Sequence, residues 1–66
     1  MNIRINGKTE LVDGLSDIAA LVSGKGLSTD KVVVEYNQRI LPREEWAETD
    51  IHENDNIEIV SFVGGG

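Results

Sequence analysis

Apolar residues recur along this chain with two different periods. Near the start Ile3 and Ile5 alternate with Asn2, Arg4 and Asn6, the spacing of a strand with one face in a core. Asn6-Gly7 follows, two residues that tolerate positive φ, so the pattern predicts a tight hairpin and a second strand from Lys8 to Val12. Asp13-Gly14 ends that strand by turn chemistry. Ile18, Leu21 and Val22 then fall at i, i+3 and i+4, which predicts a helix with one apolar face able to cover a sheet. Leu15-Ser16-Asp17 leads into it, with Ser16 as N-cap and Asp17 near the positive end of the helix dipole. Gly24 and Gly26 stop it.

In the second half the period returns to two. Val32-Val33-Val34-Glu35-Tyr36 predicts a well-buried third strand with Val32, Val34 and Tyr36 on one face, and Asn37-Gln38-Arg39 turns it. Ile40-Leu41 suits a short edge pairing that Pro42 interrupts, because proline has no N–H for a ladder. Arg43-Glu44-Glu45-Trp46 suits a single helical turn. After a polar connection, Ile57 to Val63 predicts a last strand. If Ile57 and Ile59 face the helix, alternation sends Glu58, Val60 and Phe62 to the other side, where Val33 joins them. The sum is an α+β domain, a mixed sheet of four to five strands packed on one α-helix. Its expected core is Ile3, Ile5, Leu11, Leu15, Ile18, Leu21, Leu27, Val32, Val34, Tyr36, Ile51, Ile57 and Ile59.

The 66 residues make one small domain, without room for a large active-site cavity. Twelve acidic residues against six basic ones set the net charge at −6, the wrong sign for gripping nucleic acid; the acidity serves solubility or, as the alternative, steers the chain toward a protein with a basic docking face. No cysteine is present, which removes disulfides, thiolate nucleophiles and zinc–thiolate sites. Met1-Asn2-Ile3-Arg4 lacks the apolar core of a signal peptide, and no segment approaches the roughly 20 apolar residues of a membrane span. A cytoplasmic location without a membrane partner is therefore expected.

Few side chains suggest catalysis. His52, the single histidine, stands in a polar connection at no metal-ligand spacing and reads as a solvated loop residue. Ser16, Ser23, Ser28 and Ser61 have no base paired with them. Gly24-Lys25-Gly26-Leu27-Ser28 has some likeness to a phosphate loop, but it lacks the full spacing and follows a helix instead of opening one. Trp46 reads as a partly buried plug against the sheet edge.

The sequence ends on Gly64-Gly65-Gly66. Glycine loses the most freedom on ordering and has nothing to pack, so these residues suggest a flexible tail beyond a folded domain of residues 1–63. Fully extended they would reach about 10 Å. Without Cβ atoms they could thread a narrow slot and deliver the Gly66 carboxylate to a partner's active site. The exposed Val60, Phe62 and Val33 would form a docking patch beside them.

Together these segments resemble the ThiS family of bacterial sulfur carriers, in the ubiquitin-like β-grasp group. The likeness covers essentially the whole chain. It rests on the Asn6-Gly7 hairpin, on Val34-Glu35-Tyr36-Asn37 leading into Ile40-Leu41-Pro42-Arg43-Glu44-Glu45-Trp46, on Asp55 before Ile57-Glu58-Ile59-Val60, and on the last glycines. Phe62 and the third glycine, Gly64, depart from the pattern.

The resemblance implies a β-grasp sheet around one helix, with the first and last strands parallel at its centre. It further implies that an adenylating enzyme of the ubiquitin-activating type consumes ATP to convert the Gly66 carboxylate to an acyl-adenylate. A sulfur donor system then makes the thiocarboxylate, and thiazole synthase takes the sulfur for the thiazole ring of thiamine. No cofactor would be bound, and the chain would be a cosubstrate instead of a catalyst, monomeric when alone. Three alternatives remain at this level: a carrier for molybdopterin or amino acid synthesis, a modifier joined through Gly66 to lysines, and a plain binding module.

Overall fold

The structure is a computed structural model and describes residues 1–13 and 17–62. Two left-handed dipeptides shape its sheet. Asn6 and Gly7, at φ 53° and 81°, join β1 (Asn2–Ile5) to β2 (Lys8–Leu11). Asn37 and Gln38, at φ 50° and 71°, join β3 (Val32–Tyr36) to β4 (Arg39–Leu41). Positive φ at both central residues matches the right-handed twist of the flanking strands and allows a two-residue loop. β5 (Asn56–Ser61) completes a five-stranded sheet in the order β2-β1-β5-β3-β4. β1 and β5 run parallel, and every other neighbouring pair is antiparallel. The expected edge pairing of Ile40-Leu41 is β4, and the strand total settles at five.

The one α-helix among the described residues, the short α1 (Ile18–Gly24), covers one face. Ile18, Leu21 and Val22 are all buried, as the i, i+3, i+4 spacing requires. Its N-cap is Asp17, whose Oδ1 accepts a bond from Ala20 N at 2.8 Å; the expected cap, Ser16, lies outside the described residues, as does Leu15. At the other end Gly26, at φ 72°, donates to Ser23 O at 3.0 Å and closes the helix in the manner of a left-handed C-terminal cap.

The register of β2 corrects one expected core residue. Ile5 lies opposite Lys8 and Ile3 opposite Glu10, so Lys8 and Glu10 share the helix-facing side with the two isoleucines. Leu11, opposite Asn2, is sent outward and is 78% exposed, while Val12 is buried in its place. The strand ends at Leu11, one residue short of the expected Val12, although Val12 N still donates to Met1 O at 2.9 Å.

Trp46 also departs from expectation. It is fully in the core, 3% exposed, and its indole Nε1 donates to Leu41 O at 3.0 Å. The 3-10 helix Arg43–Glu48 carries it, longer than the single turn expected. Val22 and Leu41 join the core as well, whereas Leu27 and Tyr36 pack against it half-buried.

Candidate functional site

Alternation along β5 places the predicted docking residues. Ile57 and Ile59 are buried toward α1, and Val60 and Phe62 are 51% and 56% exposed on departing from it. Val33, half-buried, is the cross-strand partner of Val60, and residues directly opposite share a face. Val33, Val60 and Phe62 therefore come together at the end of β5. β5 ends at Ser61, short of the expected strand end at Val63, since Phe62 already stands outside the strand; Val63, Gly64, Gly65 and Gly66 lie outside the described residues.

Two features of this face were missed from sequence. Ile40, 67% exposed, lies opposite Glu35, and Glu35 lies opposite Glu58. The signal was available in the two-residue turn at Asn37-Gln38, because a 36-to-39 pairing dictates 35-to-40. The outer face thus carries Val33, Val60 and Phe62 together and, in the next cross-strand row, Ile40 followed by the Glu35 and Glu58 carboxylates set side by side. Like charges directly opposite destabilise a sheet.

Polar contacts fix where β5 runs. β1 ends at Ile5, and the Asn6 side chain prolongs its ladder by accepting from Ile59 N through Oδ1 at 2.7 Å. On the other flank Phe62 N donates to Lys31 O at 2.7 Å. At the start of the strand Asp55, 7% exposed, gathers three donors. Its Oδ2 accepts from the Tyr36 hydroxyl at 2.6 Å and from His52 N at 2.7 Å, and its Oδ1 accepts from Asn37 Nδ2 at 3.2 Å.

These contacts set the titration of the cluster. Burial by itself would raise the Asp55 carboxyl, but the bonds from Tyr36, His52 and Asn37 outweigh it and hold the group below 3.8. Burial, followed by the bond and charge of Asp55, pushes the Tyr36 phenol up to about 12. The donors are thus committed to closing the loop between β4 and β5. The His52 side chain is 72% exposed, as a solvated loop residue should be.

On the helix side a cleft of about 360 Å³ is lined by Lys8, Glu10, Lys25, Leu27 and Ser61 among others, with Lys25 Nζ 2.9 Å from both Glu10 oxygens. No group of three metal-ligating side chains occurs among the described residues. No helix among them is long and apolar enough to cross a membrane.

A mixed sheet with parallel first and last strands at its centre, wrapped on one helix, defines a ubiquitin-like β-grasp protein. The ThiS family model matches residues 3–66, and the chain belongs to the ThiS family. The sulfur carrier protein ThiS of Bacillus subtilis is 35% identical over 65 residues, 97% of this chain and 98% of that protein. The crystal structure of the thiamine biosynthesis protein ThiS from Geobacter metallireducens superposes with a TM-score of 0.83 at 35% identity, over 100% of both chains. Thiazole synthase of Paramagnetospirillum magneticum is 35% identical over all 66 residues, and the chain spans only 20% of its length.

Proposed function

We propose that this ThiS-family chain carries sulfur for thiamine biosynthesis on the carboxyl group of Gly66. The outer face of β5 supports this most directly: exposed Val60 and Phe62, with half-buried Val33 opposite Val60, form an apolar patch at the end of the strand that precedes Gly64-Gly65-Gly66 in the sequence. Residues 1–63 serve as the docking domain and the three glycines as the arm that reaches the partner's site. Glu35 and Glu58, held opposite each other on the same face, offer a paired negative charge to a basic partner.

A carboxylate is a poor electrophile, so the adenylating partner supplies the leaving group. A Gly66 oxygen attacks the α-phosphorus of ATP and displaces diphosphate. Hydrosulfide delivered by the sulfur donor then adds to the acyl carbon, its S–C bond replacing the C–O bond to AMP, and AMP leaves with a thiocarboxylate remaining on Gly66. With no cysteine in the chain, that terminus is the suitable place for covalent sulfur. Thiazole synthase is the proposed acceptor, since two bacterial thiazole synthases contain a stretch similar to this whole chain.

Intact mass spectrometry after incubation with ATP, an adenylating enzyme of the ubiquitin-activating type and a sulfur donor tests this. An oxygen-to-sulfur mass gain located at Gly66 is expected. Deleting Gly66 is expected to abolish the gain and to leave the unfolding temperature unchanged, because glycine has no side chain to pack. Conjugates to lysines of other proteins would identify a modifier instead, and an unchanged mass with a verified active partner would exclude both roles.

A further inference from the structure

We propose that Arg43 is a positioning residue for the glycine arm, acting through the Thr29–Lys31 turn on the last hydrogen bond of β5. This rests on the sulfur-carrier role above. The last described cross-strand partners of β5 are Val32 and Ser61, and beyond them Phe62 N donates to Lys31 O at 2.7 Å. That bond is the final constraint on the described chain before the glycines. Lys31 closes a single 3-10 turn, Thr29–Lys31, in which Lys31 N donates to Ser28 O at 3.1 Å and the Ser28 side chain supplies no cap.

Arg43 holds that turn from outside. Its Nη1 donates to Asp30 Oδ1 at 2.9 Å and to Thr29 O at 3.4 Å, engaging both residues that precede Lys31. Arg43 in turn opens the 3-10 helix anchored by buried Trp46. A continuous set of contacts thus runs from the core at Trp46, through Arg43 and the turn, to the amide of Phe62. Both side chains of the ion pair are largely exposed, 58% and 81%, so the pair adds little to global stability. Its effect is local: it decides how firmly Lys31 O meets Phe62. Because a misplacement of about 1 Å can slow a positioned reaction by roughly 100-fold, loosening this bond acts on the reaction of Gly66 more than on the fold.

Two measurements on Arg43→Ala, Asp30→Ala and the double variant decide the matter. Amide hydrogen exchange by NMR on the free protein is expected to speed up at Phe62 by about 3- to 10-fold in each single variant, while Val34 and Ile59 keep their protection. In the adenylation assay each variant is expected to lower kcat about 10-fold with KM for the carrier held within about 2-fold, and the double variant to add nothing further. Unchanged exchange at Phe62 would overturn the proposal. So would an Arg43→Ala defect that Asp30→Ala does not share, or one expressed in KM, since Arg43 would then touch the partner directly. If the wild-type chain is never adenylated, the carrier role itself fails, and exchange at Phe62 still decides whether Arg43 orders the end of β5.

Discussion

Asp55→Asn preserves size and shape at the loop that launches β5, and the surrounding geometry sets what the missing charge does. An amide has one acceptor oxygen where the carboxylate has two. Turned toward the Tyr36 hydroxyl and His52 N, which lie 2.6 and 2.7 Å from Oδ2, it sets its own NH2 against Asn37 Nδ2, donor against donor. Asn37 cannot flip in response, because its Oδ1 accepts from Asn56 N at 2.8 Å. Turned the other way, it leaves His52 N unpaired. Bonds to a charged acceptor are worth about 1.5–3 kcal/mol net and neutral ones about 0.5–1.5, so weakening two by about 1 kcal/mol each and losing one costs roughly 3.5–5 kcal/mol.

A domain of this size has roughly 3–10 kcal/mol of stability in all. The unfolding temperature should therefore fall by roughly 15–40 °C, at about 4–8 °C per kcal/mol. Urea and thermal unfolding, followed by Trp46 fluorescence and far-ultraviolet circular dichroism, measure it. The pH dependence gives a second check. The folded carboxyl titrates below 3.8, so its stabilisation is present above that value and is lost as pH falls through the lower folded value. The wild type should lose this share in acid, whereas Asp55→Asn has none to lose. A variant within about 0.5 kcal/mol of wild type at neutral pH would show that the carboxylate does not hold the loop.

Tyr36 predicts an alkaline counterpart: its phenol is raised from 10.0 to about 12, so stability is full below pH 10 and declines toward pH 12. At about 1.4 kcal/mol per pH unit this amounts to at most roughly 2.7 kcal/mol, less what solvent screening removes, and Tyr36→Phe should lack the decline in unfolding measured across that range. Leu11→Thr should change stability by less than about 0.5 kcal/mol, whereas Val12→Ala should lose about 1–3 kcal/mol in urea unfolding; the reverse order would mean that the β2 register is wrong. Phe62→Ala should raise the carrier's KM in adenylation several-fold with a stability change under about 0.5 kcal/mol, and an unfolded variant would show that Phe62 faces the core.

Local chemistry was readable where a residue's role depends on near neighbours. Alternation at Ile57-Ile59 against Val60-Phe62, the helical spacing of Ile18, Leu21 and Val22, and the positive φ of Asn6-Gly7 each follow from backbone geometry within a few residues. Leu11 was misjudged for a related reason, since the two-residue loop at Asn6-Gly7 already pairs Ile5 with Lys8 and dictates that Leu11 faces out.

A working carboxylate at Gly66 was suggested by composition and chain order, glycines without side chains in a chain without cysteine, whereas its adenylation and conversion to a thiocarboxylate were implied by the likeness to the ThiS family. The tertiary structure decided what no short window contains. The burial of Trp46 depends on Leu41 O and α1 lying around it. The depressed carboxyl of Asp55 depends on Tyr36 and Asn37, remote in sequence, being brought to it by the antiparallel pairing of β3 with β5. The path from Arg43 through Asp30 to the amide of Phe62 likewise exists only once three separate segments are packed at one end of the sheet. Periodicity constrains which face a residue takes, but hydrogen bonds between distant segments depend on the register and packing of the whole domain.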